Sequence, residues 1–214
     1  MKSLDPKFIK LSPLNRLHGL DVPVIGLTGG IATGKSTVSK LLLKEGLPLI
    51  DADRLVKDVY ILKETMDHLQ KFHPEVLCGG KINFSLLRNK FFKDPKVRED
   101  IEGLIYRKLP ETFHLAYEKL GKPSFVIYDV PLLFEKGLAD KVDLKVLVYA
   151  PRSVQRARIM DRDGHPEEMA ETILKHQMDI EMKRPLVDFI ISNSAGMEEL
   201  AVEITHFLRQ VFKN

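Results

Sequence analysis

The stretch Val24-Ile25-Gly26-Leu27-Thr28-Gly29-Gly30-Ile31-Ala32-Thr33-Gly34-Lys35-Ser36-Thr37 constrains this chain more than any other. Gly29, four intervening residues, Gly34, Lys35 and Ser36 fit the P-loop pattern. An apolar, β-branched run, Val22 to Leu27, precedes it, and a helix-like run, Ser36 to Leu43, follows. That is the strand–loop–helix order the motif requires. Glycines let the backbone curl so that successive N–H groups line one concavity and hold phosphate oxygens. The helix opening near Lys35 adds the positive end of its dipole. Gly29, Gly30, Ile31, Ala32, Thr33, Gly34, Lys35, Ser36 and Thr37 are therefore the expected nucleotide-binding loop. Lys35 is expected to reach the β- and γ-phosphates, and the Ser36 hydroxyl to bind Mg²⁺. A ligand-free Gly-rich turn is the plainer alternative, and it leaves Lys35 and Ser36 unexplained.

Before the loop, residues 1–21 are broken by Pro6, Pro13, Asn15 and Gly19 and read as an N-terminal extension with no chemistry of its own. Residues 22–214 read as one nucleotide-binding domain. Val22 to Thr28 is the first expected strand and Ser36 to Glu45 the first helix, stopped by Gly46 in the C′ role. Leu47 to Ile50 is a second short strand ending in Asp51-Ala52-Asp53, which puts two carboxylates at the carboxyl edge of a sheet, where open α/β sheets bind ligands. From about 54 to 120 the apolar spacing turns helical and runs too long for one crossover, so an inserted, basic helical subdomain is expected. Phe125 to Tyr128, Val146 to Tyr149 and Phe189 to Ile191 are three more strands. The first of these ends in Asp129, an acid placed to serve Mg²⁺ directly or through water; capping of the following turn is its alternative role. Residues 152–184 are rich in arginine and read as a lid, and Met197 to Phe212 as a final helix covering the sheet. Strands alternating with helices predict an α/β fold, a parallel sheet of about five strands flanked by helices.

Composition narrows the partners. The net charge of +3 over 214 residues suits anionic small molecules and does not demand nucleic acid. No apolar run approaches the length of a membrane span, and the N-terminus lacks an apolar secretory core. The single cysteine, Cys78, precludes an internal disulfide, so a cytoplasmic location is expected. His68, His73, His114 and His165 are scattered without metal spacing and read as surface or packing residues. A monomer or weak homo-oligomer is expected.

A P-loop serves kinases, hydrolases and switches alike. Phosphoryl transfer to a hydroxyl also needs a proton acceptor, and Asp53, at a strand's end facing the expected phosphates, is placed for that role. Arg158 and Arg162 stand four apart on one helix face, where both forks could take phosphate oxygens; surface pairing with Asp161, Asp163 or Glu167 is the alternative. No clear Gln or Glu stands ready to position a hydrolytic water, and the guanine-reading Asn-Lys-x-Asp of switch proteins is missing.

Thr28 to Thr37, Ile50-Asp51-Ala52-Asp53, the run Asp129-Val130-Pro131-Leu132-Leu133-Phe134-Glu135, Val142-Asp143, Gln155, Arg158, Arg162-Asp163, Gln177 and Asp188 to Asn193 together resemble the dephospho-coenzyme A kinase family. The resemblance runs from about residue 22 to the end. It implies a P-loop kinase fold in which ATP, with Mg²⁺, phosphorylates the ribose 3′-hydroxyl of dephospho-coenzyme A. It also implies Asp53 as general base, with Asp51 beside it on the acceptor side. Lys35 and Arg162 would steady the transferring phosphoryl, the insertion would cradle the acceptor, and Gln177 and Asn193 would lie near the nucleotide. The chain departs from the family at Ala32, where a glycine is usual and which requires that this position not need positive φ. It departs again at His73, Phe84 and Tyr106-Arg107, all in the insertion. A related kinase acting on a nucleoside or another small hydroxyl is the alternative enzyme, and a nucleotide-binding regulator the alternative class.

Overall fold

Pro23 has no N–H to give a ladder, and the central strand starts just after it. The computed structural model describes residues 2–213; Met1 and Asn214, the outermost residues of the expected extension and domain, lie outside the described residues. In chain order the first elements are β1 (Ser3–Leu4), β2 (Val24–Gly29), α1 (Lys35–Lys44) and β3 (Leu49–Asp51). Next come α2 (Ala52–Tyr60), α3 (Lys63–Phe72), β4 (Leu77–Cys78), β5 (Lys81–Ile82), α4 (Phe84–Lys93) and α5 (Pro95–Lys119). The last part holds β6 (Val126–Asp129), β7 (Leu144–Tyr149), α6 (Arg152–Asp163), α7 (Glu167–Leu174), α8 (Ile180–Lys183), β8 (Phe189–Ser192), α9 (Met197–Val211) and β9 (Phe212–Lys213). The chain divides into two compact units, Met1–Asp51 with Leu120–Asn214, and Ala52–Lys119.

In the first unit, β3, β6, β2, β7 and β8 form, in that order, a five-stranded sheet whose neighbours are all parallel. Every residue of β2 is buried, as a central parallel strand covered on both faces requires. Its Ile25 and Leu27 join Val38 and Leu42 of α1, Ile127, Val146 and Val148 of the neighbouring strands, and Leu200, Ile204 and Phe207 of α9 in one core. In α9 these apolar residues recur at helical spacing, and the Glu199 carboxylate accepts from the Gly196 N–H at 3.1 Å to cap the start. Among the described residues no helix is long and apolar enough to cross a membrane.

The N-terminal extension is bonded into this unit. β1 pairs antiparallel with β9, Leu4 opposite Phe212. Asp143, at the head of β7, is buried and accepts from the backbone N–H groups of Lys10, Leu11 and Val24. The same carboxylate receives Arg16 through Nε at 2.7 Å and Nη2 at 3.2 Å, while Arg16 also donates to the Asp21 carbonyl at 2.9 Å. Arg16 and Asp143 are nearly solvent-free, so each charge depends on the other.

In the second unit, Val59, Leu69, Val76, Leu87, Val97, Ile101 and Ile105 make a separate core. Cys78-Gly79-Gly80-Lys81 closes a hairpin of β4 and β5, with both glycines at positive φ, 57° and 74°. That is the backbone twist a two-residue hairpin favours. α5 runs on through Pro110 to Lys119, where the helical spacing was expected to end.

Removing one partner of a buried ion pair strands the other. Asp143→Ala should therefore cost about 3–5 kcal/mol of stability, read as a lower urea midpoint. A joint Arg16→Met, Asp143→Leu change should recover part of that loss. An unchanged midpoint for Asp143→Ala would show that the pair carries no net weight.

Candidate active site

The loop between β2 and α1 is shaped by steric demands that only some of its residues meet freely. Gly34 has φ +84°, and a Cβ there would fall 2.1 Å from Nδ2 of Asn193, so both conformation and space require glycine. A Cβ on Gly29 would meet Thr33 Oγ1 at 2.7 Å and the Val148 carbonyl at 3.1 Å. Ala32 departs from the expectation that its position does not need positive φ: its φ is +60°. An alanine held there carries roughly 1–2 kcal/mol of strain that glycine would not. Its neighbourhood compensates in part, because Ile31 and Ala32 pack against Ile159 of α6 and Ala170 and Leu174 of α7.

Three side chains from distant elements grip the loop. Asn193, just past β8, donates from Nδ2 to the Thr33 carbonyl at 2.8 Å. Arg158 of α6 donates from Nη1 to the carbonyls of Ala32 and Thr33 at 3.2 and 3.3 Å, and from Nη2 to the Asn193 carbonyl at 2.9 Å. Gln177 accepts from the Ile31 N–H at 3.0 Å. Because each peptide is planar and trans, a Thr33 carbonyl held on one side turns the Gly34 N–H to the other. The loop thus keeps its carbonyls outward and frees an amide for an anion, at the start of α1 where the helix dipole favours negative charge. A cavity of about 330 Å³ lies beside it, lined by Gly34, Thr37, Arg158, Asn193, Ala195, Gly196 and Met197.

Lys35 opens α1 and forms an ion pair with Asp129 at the end of β6. Ser39, one turn along α1, donates its hydroxyl to the other oxygen of Asp129 at 2.7 Å. Burial pushes the Asp129 carboxyl up; the charge and hydrogen bond of Lys35, and the Ser39 hydroxyl, draw it back, and Asp51 pushes it up again. The net direction is upward, since the carboxyl is only 4% exposed. Parallel register sets Asp51 of β3 directly across from Asp129, so both acids end at the carboxyl edge beside the loop strand. Ser36 is exposed in the first turn of α1, and Asp53 is exposed in the first turn of α2, two residues past the end of β3.

The two lid arginines part company. Arg158 turns onto the loop, whereas Arg162 is exposed and makes a bidentate pair with Asp163, both bonds at 2.7 Å, so the structure does not bring Arg162 to the loop. Other α6 arginines bind acids of α7 and beyond: Arg152 pairs with Glu171 and Asp179, and Arg156 with Glu167. Lys183, within the charged stretch read as a lid, is fully buried and pairs with Glu135 at 2.8 Å. Glu135 ends the run Asp129 to Glu135, and it also accepts from the Met178 N–H at 3.1 Å. Ser39 could have been found from its spacing, one turn from Lys35 on α1; nothing local marks Lys183.

In the second unit, Phe84 stacks edge-on against Tyr60 with ring centroids 5.5 Å apart, and Tyr106 and Arg107 are exposed. His68 and His73 are corrected from the scattered reading: Nε2 of each lies 2.7 Å from Oδ2 of Asp100. The five-residue interval hid this, because it crosses the end of α3.

Gly34→Ala should weaken both nucleotide binding and stability, since its Cβ collides with the amide that holds Thr33. Combining it with Asn193→Ala should be less damaging than the sum of the single changes, by about 0.5–3 kcal/mol in a double-mutant cycle. Strict additivity would mean that the collision is not what excludes a side chain at residue 34.

Comparison with known proteins gives the family. The dephospho-CoA kinase family model matches residues 23–199. A dephospho-CoA kinase of Rhodopseudomonas palustris is 36% identical over 194 residues, covering 89% of this chain and 96% of the relative. One of Anaeromyxobacter dehalogenans is 38% identical, covering 83% of this chain and 87% of the relative. Among solved structures, a Thermus thermophilus protein superposes with a TM-score of 0.73 at 30% identity, covering 88% of this chain and 97% of its own. Dephospho-CoA kinase from Campylobacter jejuni superposes with a TM-score of 0.66 at 25% identity, covering 87% of this chain and 96% of its own. Matched by the family model over residues 23–199 and by such relatives along most of its length, the chain belongs to the dephospho-CoA kinase family.

Proposed function

We propose that this protein transfers the γ-phosphoryl of ATP to the ribose 3′-hydroxyl of dephospho-coenzyme A, giving coenzyme A and ADP. The observation that carries the reading is the state of Lys35. In a chain of this family, the loop lysine sits at the root of α1 against Asp129, next to the Gly34 amide that the brace on the Thr33 carbonyl turns away from Asn193.

The pair works as an exchange. Without nucleotide, Lys35 and Asp129 neutralise each other in a half-dry site. Polyphosphate in the loop offers Lys35 several anionic oxygens, and its departure frees the Asp129 carboxylate. The Ser36 hydroxyl and the carboxylates of Asp129 and Asp51 are hard oxygen donors, the set Mg²⁺ prefers. Ser36 and Asp129 would hold it, Asp129 directly or through water. A Mg²⁺ ion held by these residues would supply charge neutralisation to the phosphates. The 330 Å³ cavity beside Gly34 and Asn193 receives the base end of ATP.

Asp53 accepts the proton of the attacking hydroxyl. Its place just beyond the aligned acids of β3 and β6 supports that role. Arg162 exchanges Asp163 for phosphate oxygens as residues 152–184 close over the nucleotide and exclude water. The helical unit, residues 52–119, takes the acceptor.

Purified protein with ATP and Mg²⁺, offered a panel of hydroxyl acceptors, should turn over dephospho-coenzyme A fastest; faster turnover of a nucleoside would overturn the acceptor. Lys35→Ala should abolish turnover in a folded protein. Asp53→Asn should lower kcat by about 10²–10⁴-fold and leave the KM for ATP nearly unchanged, because it removes a proton acceptor and no phosphate ligand. Near-normal kcat in that variant would rule Asp53 out as the base.

A further inference from the structure

We propose that His68, His73 and Asp100 form a binding site for a divalent transition-metal ion of the Zn²⁺ class, which clamps the C-terminal end of α3 to α5. The site belongs to the helical unit and is independent of the nucleotide chemistry.

Three donor atoms converge there. Nε2 of His68 and Nε2 of His73 each stand 2.7 Å from Oδ2 of Asp100, and the three atoms all lie within 4.8 Å of one another. Two imidazoles and a carboxylate are a ligand set that Zn²⁺ takes, with water in the remaining position of a tetrahedron. Ligands at about 2.0–2.1 Å from a tetrahedral ion stand roughly 3.3 Å apart. The 2.7 Å contacts therefore need to open by only about half an ångström, a side-chain adjustment.

The surroundings suit an ion. His73 is held by its backbone: its N–H donates to the Leu69 carbonyl at 2.8 Å and its carbonyl accepts from the Val76 N–H at 3.0 Å. Its side chain is mostly buried, while Asp100 stays 38% exposed, which leaves a route for the ion and a place for water. The His68 ring rests on Phe72 with centroids 4.7 Å apart, giving the site an apolar wall.

The rival reading is a plain hydrogen-bonded clamp, with each imidazole donating its Nε2–H to one oxygen. The two differ in which ring nitrogen carries the proton, because metal ligation needs the Nε2 lone pair and moves the proton to Nδ1.

The test uses untagged full-length protein, stripped with a chelator and dialysed. Co²⁺ titration followed by visible absorption should give one equivalent per chain, with the intense bands of a four-coordinate site, and Zn²⁺ should erase them. Zn²⁺ should also raise the melting temperature. His68→Gln and Asp100→Asn change partly exposed side chains and serve as the main variants, with His73→Gln as a third. Each, once circular dichroism shows it folded, should weaken binding by about 100-fold or more and lose the Zn²⁺-dependent rise in melting temperature. Binding confined to the millimolar range overturns the proposal. So does tight binding that survives His68→Gln and Asp100→Asn, because the ion then sits elsewhere.

Discussion

The outward pull on two carbonyls is the constraint from which the active loop follows. A tight loop of glycines has no reason to keep its amides pointing one way. Arg158 and Asn193 give it one by occupying the Ala32 and Thr33 carbonyls from outside. Both braces come from late in the chain, from α6 and the end of β8, so the loop is not set until the sheet is complete. The strained alanine at residue 32 is held by the same braces. Strain of this kind persists only where the surroundings over-determine the backbone, and here they do so at the phosphate site.

A second set of ties runs through the segment from Asp129 to Glu135. Its first residue pairs with Lys35 and its last with Lys183, one lysine at the edge of the phosphate site and one fully buried. Between them the Pro131 carbonyl accepts from the Thr28 hydroxyl at 2.9 Å and from Lys183 at 3.3 Å. One loop thus joins the central strand, the first helix and α8. The two ion pairs differ in what they can do. Lys183 is out of reach of solvent, and parting it from Glu135 would leave an uncompensated charge in the interior, with the Pro131 carbonyl as its other partner. Lys35 is partly exposed and stands beside an anion site, so it can change partners. The first pair holds the scaffold and the second is poised for exchange.

The parts of this architecture that were legible in sequence are those written in local pattern. The parallel strands announced themselves as short apolar runs, and the loop by glycines at fixed intervals before a lysine. The acids at residues 51 and 129 were recognisable because each follows such a run directly. What the pattern hid was long-range. Asp143 gathers Lys10, Leu11, Arg16 and Val24 from more than a hundred residues away, and no local property of an aspartate at the head of a strand foretells that. Arg158 and Arg162 looked equivalent by helical spacing, yet one faces the loop and the other faces Asp163. Spacing fixes a face of a helix but not which partner reaches a side chain first. Ala32 was expected to avoid positive φ because of its residue type, and tertiary packing overrode that preference.

The same distinction bears on each of the two units. The braces of the phosphate loop described above come from residues 2–51 and 120–213, and they are redundant: two carbonyl braces, an amide acceptor and an ion pair hold one turn of backbone. The inserted unit has its own core and its own polar clamp, in which two imidazoles share one carboxylate oxygen. Its departures from the family pattern sit at His73, Phe84, Tyr106 and Arg107, of which His73 belongs to that clamp. Asp53 follows the end of β3 by two residues, and the last residue of that strand, Asp51, is paired in register with Asp129, so the chain leaves the carboxyl edge of the sheet immediately before it.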